Sequence, residues 1–263
     1  MAVTNGWGQG VENNTIDWGK GSTNNSNNWG SVYGSSAAGD TLLSAASFSN
    51  TKSLDFDGVD DFVSIGNPTN LQITGLFTFS AWIKTPSAAS YDAIFFKGNS
   101  IAQSDWYIRM QNNGTIRFFI NNTSKKVTSS STIDDNNWHH LLIIYSPSTS
   151  MTIYIDGVQD AQNTSAIPSS INNNYGNITI GSDNDISQFW NGNIDEVGLW
   201  NSDQSSNIST IYNSGNPSDL TSLNPLAWWR FEEGSGTTAT DSGSGGNDGT
   251  LTNGVAYSTD VPT

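Results

Sequence analysis

From Ser53 to the C-terminus the chain alternates apolar and polar residues in short stretches, broken by turns rich in Gly, Asn and Asp. Phe77, Phe79, Ala81 and Ile83 alternate with Thr78, Ser80, Trp82 and Lys84, the period of a strand with one apolar face. Trp106–Met110 and Ile116–Ile120 flank Asn112-Asn113-Gly114, which predicts a hairpin. Trp138–Tyr145 is apolar on both faces apart from His139 and His140 and reads as a central strand. Met151–Ile155 alternates and runs into an Asp156-Gly157 turn. Ile178–Ile180, Ile194–Trp200 and Leu226–Phe231 complete the strands. One helix is predicted near Gln204–Asn213, with Ile208, Ile211 and Tyr212 on its apolar face and Gly215 as its C-terminal cap. Many short strands and one small helix predict an all-β protein, a two-sheet antiparallel jelly-roll sandwich.

The first 34 residues follow another rhythm. Trp7-Gly8, Trp18-Gly19 and Trp29-Gly30 recur every 11 residues, and Gly, Asn and Thr between them oppose helix. Such an arm buries too little to fold alone, so Trp7, Trp18 and Trp29 are read as anchors for a partner surface. Residues 35–52 read as a linker, and 53–263 as the sandwich, closed by the segment 226–263.

Composition narrows the function classes. Only 13% of residues are charged, and nine Lys and Arg face 24 Asp and Glu, for a net charge of -15. That balance disfavours nucleic acid and anionic membranes and suits hard cations such as Ca²⁺. There is no cysteine, which excludes disulfides, thiol nucleophiles and Cys-ligated zinc. A disulfide-free extracellular β-protein points to a bacterial or viral source. The N-terminus carries neither a cationic start nor an apolar run, so no export signal is read there, and no stretch is long and apolar enough for a membrane span.

Several blocks resemble the laminin-G-like jelly rolls of the concanavalin A-like superfamily. They are Phe56-Asp57-Gly58-Val59-Asp60-Asp61-Phe62-Val63, Ser80-Ala81-Trp82-Ile83-Lys84, Trp138-His139-His140, Tyr154-Ile155-Asp156-Gly157, and Trp190 to Trp200 with its Ile194-Asp195-Glu196-Val197 centre. The stretch Trp228 to Leu251 resembles the opening segment of the family yet comes last, which implies a circularly rearranged domain. The Trp-Gly arm and the Asn-rich surface are similar in style to marine phage virion proteins.

Candidate chemistry follows. Catalysis by glucanases of this fold needs carboxylates projecting together. The chain has four Glu, at 12, 196, 232 and 233, and Asp195 and Glu196, adjacent on a strand, are expected on opposite faces. His139 and His140 fail the same test, so an enzyme is not expected. Asp57, Asp60 and Asp61 in one turn, with Asp241, Asn247 and Asp248 in another, are candidate Ca²⁺ ligands or plain turn formers; the two turns are expected to be neighbours. Trp106, Tyr107, Trp190, Tyr91 and Tyr175 are candidate sugar platforms, while Trp82, Trp138, Trp200 and Trp228 are assigned to the core. The leading expectation is a non-enzymatic phage virion surface protein, a capsid decoration or tail-associated component. Its arm contacts other virion proteins, its sandwich contacts host surface polysaccharide, and homo-oligomerisation buries the arm. The alternatives are a carbohydrate-binding bacterial adhesin module and, less favoured, a glycoside-acting enzyme.

Overall fold

Two stacked antiparallel sheets are built by the described residues of the computed structural model, 48–86, 91–122, 124–183 and 188–263. The arm with Trp7, Trp18 and Trp29, and linker residues 35–47, lie outside them. In chain order the strands are β1 (Ser53–Asp57), β2 (Phe62–Gly66), β3 (Phe77–Lys84), β4 (Asp92–Ser100), β5 (Gln103–Met110), β6 (Thr115–Ile120), β7 (Lys125–Thr132), β8 (His139–Ser146), β9 (Ser150–Ile155) and β10 (Val158–Asn163). They continue as β11 (Ile178–Ile180), β12 (Asn191–Trp200), β13 (Ala227–Trp229), β14 (Thr238–Ala239), β15 (Gly249–Thr252) and β16 (Ala256–Ser258). The first sheet runs β10-β9-β8-β3-β12-β1-β16, with β13 also on β12; the second runs β14-β15-β2-β11-β4-β5-β6-β7.

The turns follow their residues. Asp156 and Gly157, both at positive φ, join β9 to β10 in the manner of a tight hairpin. Gly114, at φ 78°, closes the β5–β6 hairpin by donating its N–H to Gln111 O. Strand β8 lies inside the first sheet between β3 and β9. The helical segment is shorter than the sequence predicts: a 3-10 turn, Ser205–Asn207, leads into one α-helix, α1 (Ile208–Tyr212). Asn213, not Gly215, takes the left-handed cap position.

The C-terminal segment threads back into both sheets. In the second sheet β15 pairs with β2 through Leu251↔Val63, and in the first β16 pairs with β1 through Leu54↔Tyr257. Strand β12 has β3 along one edge; its other edge carries β1 on the first half and β13 on the second.

Between the sheets, Phe77, Phe79, Ala81 and Ile83 of β3 meet Phe95, Trp106, Ile108 and Phe118 of β4, β5 and β6. The Phe95 and Trp106 rings stack 4.9 Å apart. At one end Lys97 and Asp105, both buried, form an ion pair, and the ammonium also donates to Asn173 Oδ1 and Tyr175 O at 2.9 Å. Asp105 Oδ1 in turn accepts from the Asn174 N–H, so the pair pins the loop 173–175. Removing one partner would strand a buried charge, which makes this loop costly to release.

Strand β3 is not half-exposed as its alternation suggests. Its second face carries Thr78, Ser80 and Trp82, all buried, because a third layer covers the first sheet. Trp200, Trp228, Leu142 and Ile144 pack there against Ile211 and Leu220, with Phe48 and Tyr154 at the margin. Trp82, Trp200 and Trp228 are thus buried, but outside the space between the sheets. Trp138 is only half-buried and donates its indole N–H to Asp260 Oδ1 at 2.9 Å.

Candidate functional site

The outer face of the second sheet carries a buried row of aromatic rings flanked by two half-buried arginines. Antiparallel register puts Phe96 of β4, Tyr107 of β5 and Phe119 of β6 side by side on it. The Tyr107 and Phe119 rings stack 4.5 Å apart, and Phe96 lies 5.4 Å from Tyr107. Two residues along, Arg109 of β5 faces Arg117 of β6 directly. The Arg109 guanidinium carbon lies 4.5 Å from the ring centre of Tyr91, 5.1 Å from Phe119 and 5.8 Å from Tyr107; that of Arg117 lies 5.6 Å from Phe119. These are cation–π distances. Tyr91 is 42% exposed and forms the open edge of the surface.

The polar atoms here are poorly satisfied. Tyr107 is 1% exposed, and its hydroxyl and Arg109 Nε are buried with no hydrogen-bond partner among the described residues. Arg109 donates through Nη1 to Gln188 Oε1 at 3.3 Å, and Arg117 through Nε to Thr128 Oγ1 at 2.8 Å. Among the described residues neither arginine is ion-paired. Burial pushes the Tyr107 hydroxyl up to about 12 and lowers the Arg109 guanidinium. Exposed Tyr91 beside two half-buried guanidinium groups suits a ligand with an apolar face and acceptor oxygens.

Of the five sugar-platform candidates, Tyr91 and Tyr107 come together here, but only Tyr91 is exposed; Tyr107 is buried beside it. Trp106 and Trp190 are fully buried between the sheets and offer no platform. Strand parity decides this: Trp106 shares its face with Ile108, one residue out of step with Tyr107. Tyr175 is half-buried in the loop held by Lys97. Arg109, Arg117 and Phe119 were not among the candidates. Their signal lay in the predicted hairpin, since Arg109 and Arg117 stand symmetrically about Asn113 and therefore face each other.

The acidic candidates divide into two places. Asp57, Asp60 and Asp61 converge in the β1–β2 turn, each with an oxygen within 4.8 Å of the others. Asp61 is 3% exposed; Oδ2 accepts from the Asp57 N–H at 3.0 Å, while buried Oδ1 has no donor among the described residues. Burial raises its carboxyl, and Asp57 and Asp60 add to the rise. Asp241, Asn247 and Asp248 do not join them. Asp241 accepts from the N–H groups of Trp228, Gly243 and Asn247, and Asp248 accepts from the Asp241 N–H, as turn formers do. The register sets the two turns apart: Thr252 is opposite Phe62 and Thr250 opposite Ser64. Asp248 therefore lies toward Gly66, roughly 16 Å along the strand from Asp61 at about 3.3 Å per residue. Asn253 is the C-terminal residue that reaches the acidic turn, donating to Asp60 O at 3.0 Å.

Asp195 and Glu196 overturn the expectation of opposite faces. Between Asp195↔Trp82 and Gly198↔Ser80, strand β12 carries an extra residue, and Glu196 sits at φ 48°. Ile194 and Val197 point between the sheets, so the bulge turns both acids outward. Both are buried beneath the third layer. Glu196 accepts from Trp228 Nε1 at 2.6 Å and Arg230 Nε at 3.2 Å, and Asp195 accepts from Asn50 Nδ2 at 2.8 Å. Burial pushes the Glu196 carboxyl up to about 8 and Asp195 well above its ordinary range. His140 is likewise enclosed, with Nε2 2.8 Å from Ser80 Oγ; burial lowers it to about 4, and Nδ1 has no partner. A nucleophile-like pair is therefore present where the sequence suggested none, but no carboxylate orients it and it is 1% exposed.

Comparison with known proteins agrees with this architecture. A family model described as the concanavalin A-like lectin/glucanases superfamily matches residues 57–208. A candidate carbohydrate-binding protein from Bacteroides ovatus superposes with a TM-score of 0.64 at 18% identity, over 82% of this chain. The chain spans 62% of the length of that structure. A heptameric SAP-like pentraxin from Limulus polyphemus superposes with a TM-score of 0.50 at 17% identity, over 64% of this chain and 84% of its own. Such identities show a shared fold. No curated protein matches the sequence.

Proposed function

As the chain belongs to the concanavalin A-like lectin/glucanase superfamily, we propose that it is a carbohydrate-binding display module whose sugar site is the outer face of its second sheet. The observation that carries this reading is exposed Tyr91, whose ring lies 4.5 Å from the half-buried Arg109 guanidinium, with half-buried Arg117 opposite Arg109 and the buried Tyr107 and Phe119 rings backing both arginines. Sugars present apolar C–H faces that stack on an exposed ring such as Tyr91 and oxygens that accept from guanidinium N–H groups beside it. A non-catalytic role is favoured because the paired acids Asp195 and Glu196 are enclosed and engaged by Trp228, Arg230 and Asn50.

The setting we propose is the surface of a phage virion, with the arm bearing Trp7, Trp18 and Trp29 bound to other virion proteins and the sandwich turned toward host polysaccharide. The 11-residue Trp-Gly repeat supports that reading. We also propose that Asp57, Asp60 and Asp61 hold a hard cation of the Ca²⁺ type, since a buried carboxylate oxygen without a donor, among like charges, favours a cation.

A panel of immobilised oligosaccharides tests the function. Binding of at least one is expected, weakened roughly tenfold by Tyr91→Ala, about the 1.4 kcal/mol of one good contact. Binding unchanged in Tyr91→Ala, with loss in variants of the first sheet instead, contradicts the assignment.

A further inference from the structure

The chain has three arginines, and two of them, Arg109 and Arg117, stand directly opposite each other on neighbouring strands. Like charges so placed repel and destabilise a sheet. The arrangement is odd in a protein with a net charge of -15 that has ample acid to neutralise it. Yet neither arginine forms an ion pair among the described residues, and Arg117 lowers the Arg109 guanidinium further. Tyr107, Tyr91 and buried Asp183 act on Arg109 in the opposite sense, Tyr107 more strongly than Arg117 and the other two less. The same face carries Lys126 of β7, exposed and in register with Phe119.

We propose that Arg109 and Arg117 together read an acidic substituent, a carboxylate or sulfate ester, on a short oligosaccharide stacked against Tyr91. This rests on the sugar-binding reading above and narrows its ligand class. Guanidinium groups match planar or tetrahedral oxyanions with paired N–H donors, and each is held here by a ring. Arg109 Nε is buried and lacks an acceptor, so a donor is already desolvated. An anionic oxygen held between the two half-buried guanidinium groups would relieve their repulsion; a neutral hydroxyl would not. The overall negative charge works against a long polyanion. The expected ligand is therefore short and engaged locally.

Titration calorimetry with the full chain tests this, using a tetragalacturonate, a sulfated galactan tetrasaccharide and the neutral galactan tetrasaccharide. At least one acidic probe is expected to bind ten or more times as tightly as the neutral one. Which of the two binds distinguishes carboxylate from sulfate. Arg117→Gln keeps a polar side chain beside Thr128, and is expected to erase the preference for acid while leaving the melting temperature within a few degrees. Arg109→Lys retains charge without the fork and is expected to weaken acidic binding at least fivefold. Equal or tighter binding of the neutral probe overturns the acidic reading and leaves the sugar site standing. Binding to none of the three, nor to any glycan of the panel, overturns both. Acidic binding unaltered by Arg117→Gln and by Arg109→Lys places the anion elsewhere and overturns the proposal.

Discussion

At the residue scale, what matters is where a polar atom finds itself with nothing to bond. Tyr107, Arg109 and Asp61 each carry such an atom. A buried polar group without a partner costs about 1–3 kcal/mol, so its retention asks for a reason. For Asp61 the reason we favour is a cation held with Asp57 and Asp60. Calorimetric titration of the chelator-treated protein with Ca²⁺ is expected to give one-site heat and a rise of several degrees in melting temperature, as ligand binding to the native state requires. In Asp61→Asn both are expected to vanish. No heat and no thermal shift in the wild type would remove the cation. Residue identity made this turn legible, since Asp57-Gly58-Val59-Asp60-Asp61 is continuous in sequence. The separation of Asp241, Asn247 and Asp248 was not legible, because it depends on the β2–β15 register, which only the pairing of distant strands fixes.

Among elements, β12 shows where alternation misleads. A regular strand puts Asp195 and Glu196 on opposite faces; one residue at positive φ turns both outward, and nothing in the identity of Glu196 announces it. The residues Phe48–Lys52 then lie over the acids. Asn50 bonds Asp195, Arg230 bonds Ser49 O, and Glu232 Oε1 accepts from the N–H groups of Thr51 and Lys52. The arginine side chain stacks between the rings of Phe48 and Trp228, 4.6 and 5.1 Å from their centres. Of the two buried acids Arg230 bonds Glu196 alone, and burial raises the carboxyls of both Asp195 and Glu196.

That pair makes stability depend on pH. Glu196 rises from 4.5 to about 8 in the folded state. Its contribution is full below about 4.5 and is lost as pH climbs through about 8, because the unfolded chain releases the proton first. His140, lowered to about 4, acts in the other sense and only below its ordinary 6.5. His139, raised by its bond to Asp156, adds to the loss above 6.5. The melting temperature is thus expected to fall between pH 6.5 and 8, and Glu196→Gln, which preserves an acceptor for Trp228, is expected to make that fall clearly shallower. An identical slope in the variant contradicts the assignment.

For the whole molecule, the sequence carried the fold class well. Alternation in β3, the β5–β6 and β9–β10 turns and the interior position of β8 were readable because each follows from local chemistry. The third layer over the first sheet was not, since Thr78, Ser80 and Trp82 look solvent-facing until α1 and the 48–52 segment are placed above them. The same layer explains why function moves to the other sheet. One outer face is sealed by apolar packing; the other keeps Tyr91 exposed and both arginines only half-buried. Sequence parity alone could not say which of Trp106 and Tyr107 faces the space between the sheets, and both are buried, Tyr107 in a small cluster on the outer face.

The most direct test is chemical-shift mapping of the isotope-labelled protein during titration with the tightest oligosaccharide of the panel. The account predicts shifts concentrated on Tyr91, Tyr107, Arg109, Arg117, Phe119 and Thr128, with those of Trp228, Glu196 and the 48–52 segment unmoved. Shifts confined to the first sheet or to the Asp57–Asp61 turn, with the arginine face silent, would contradict it.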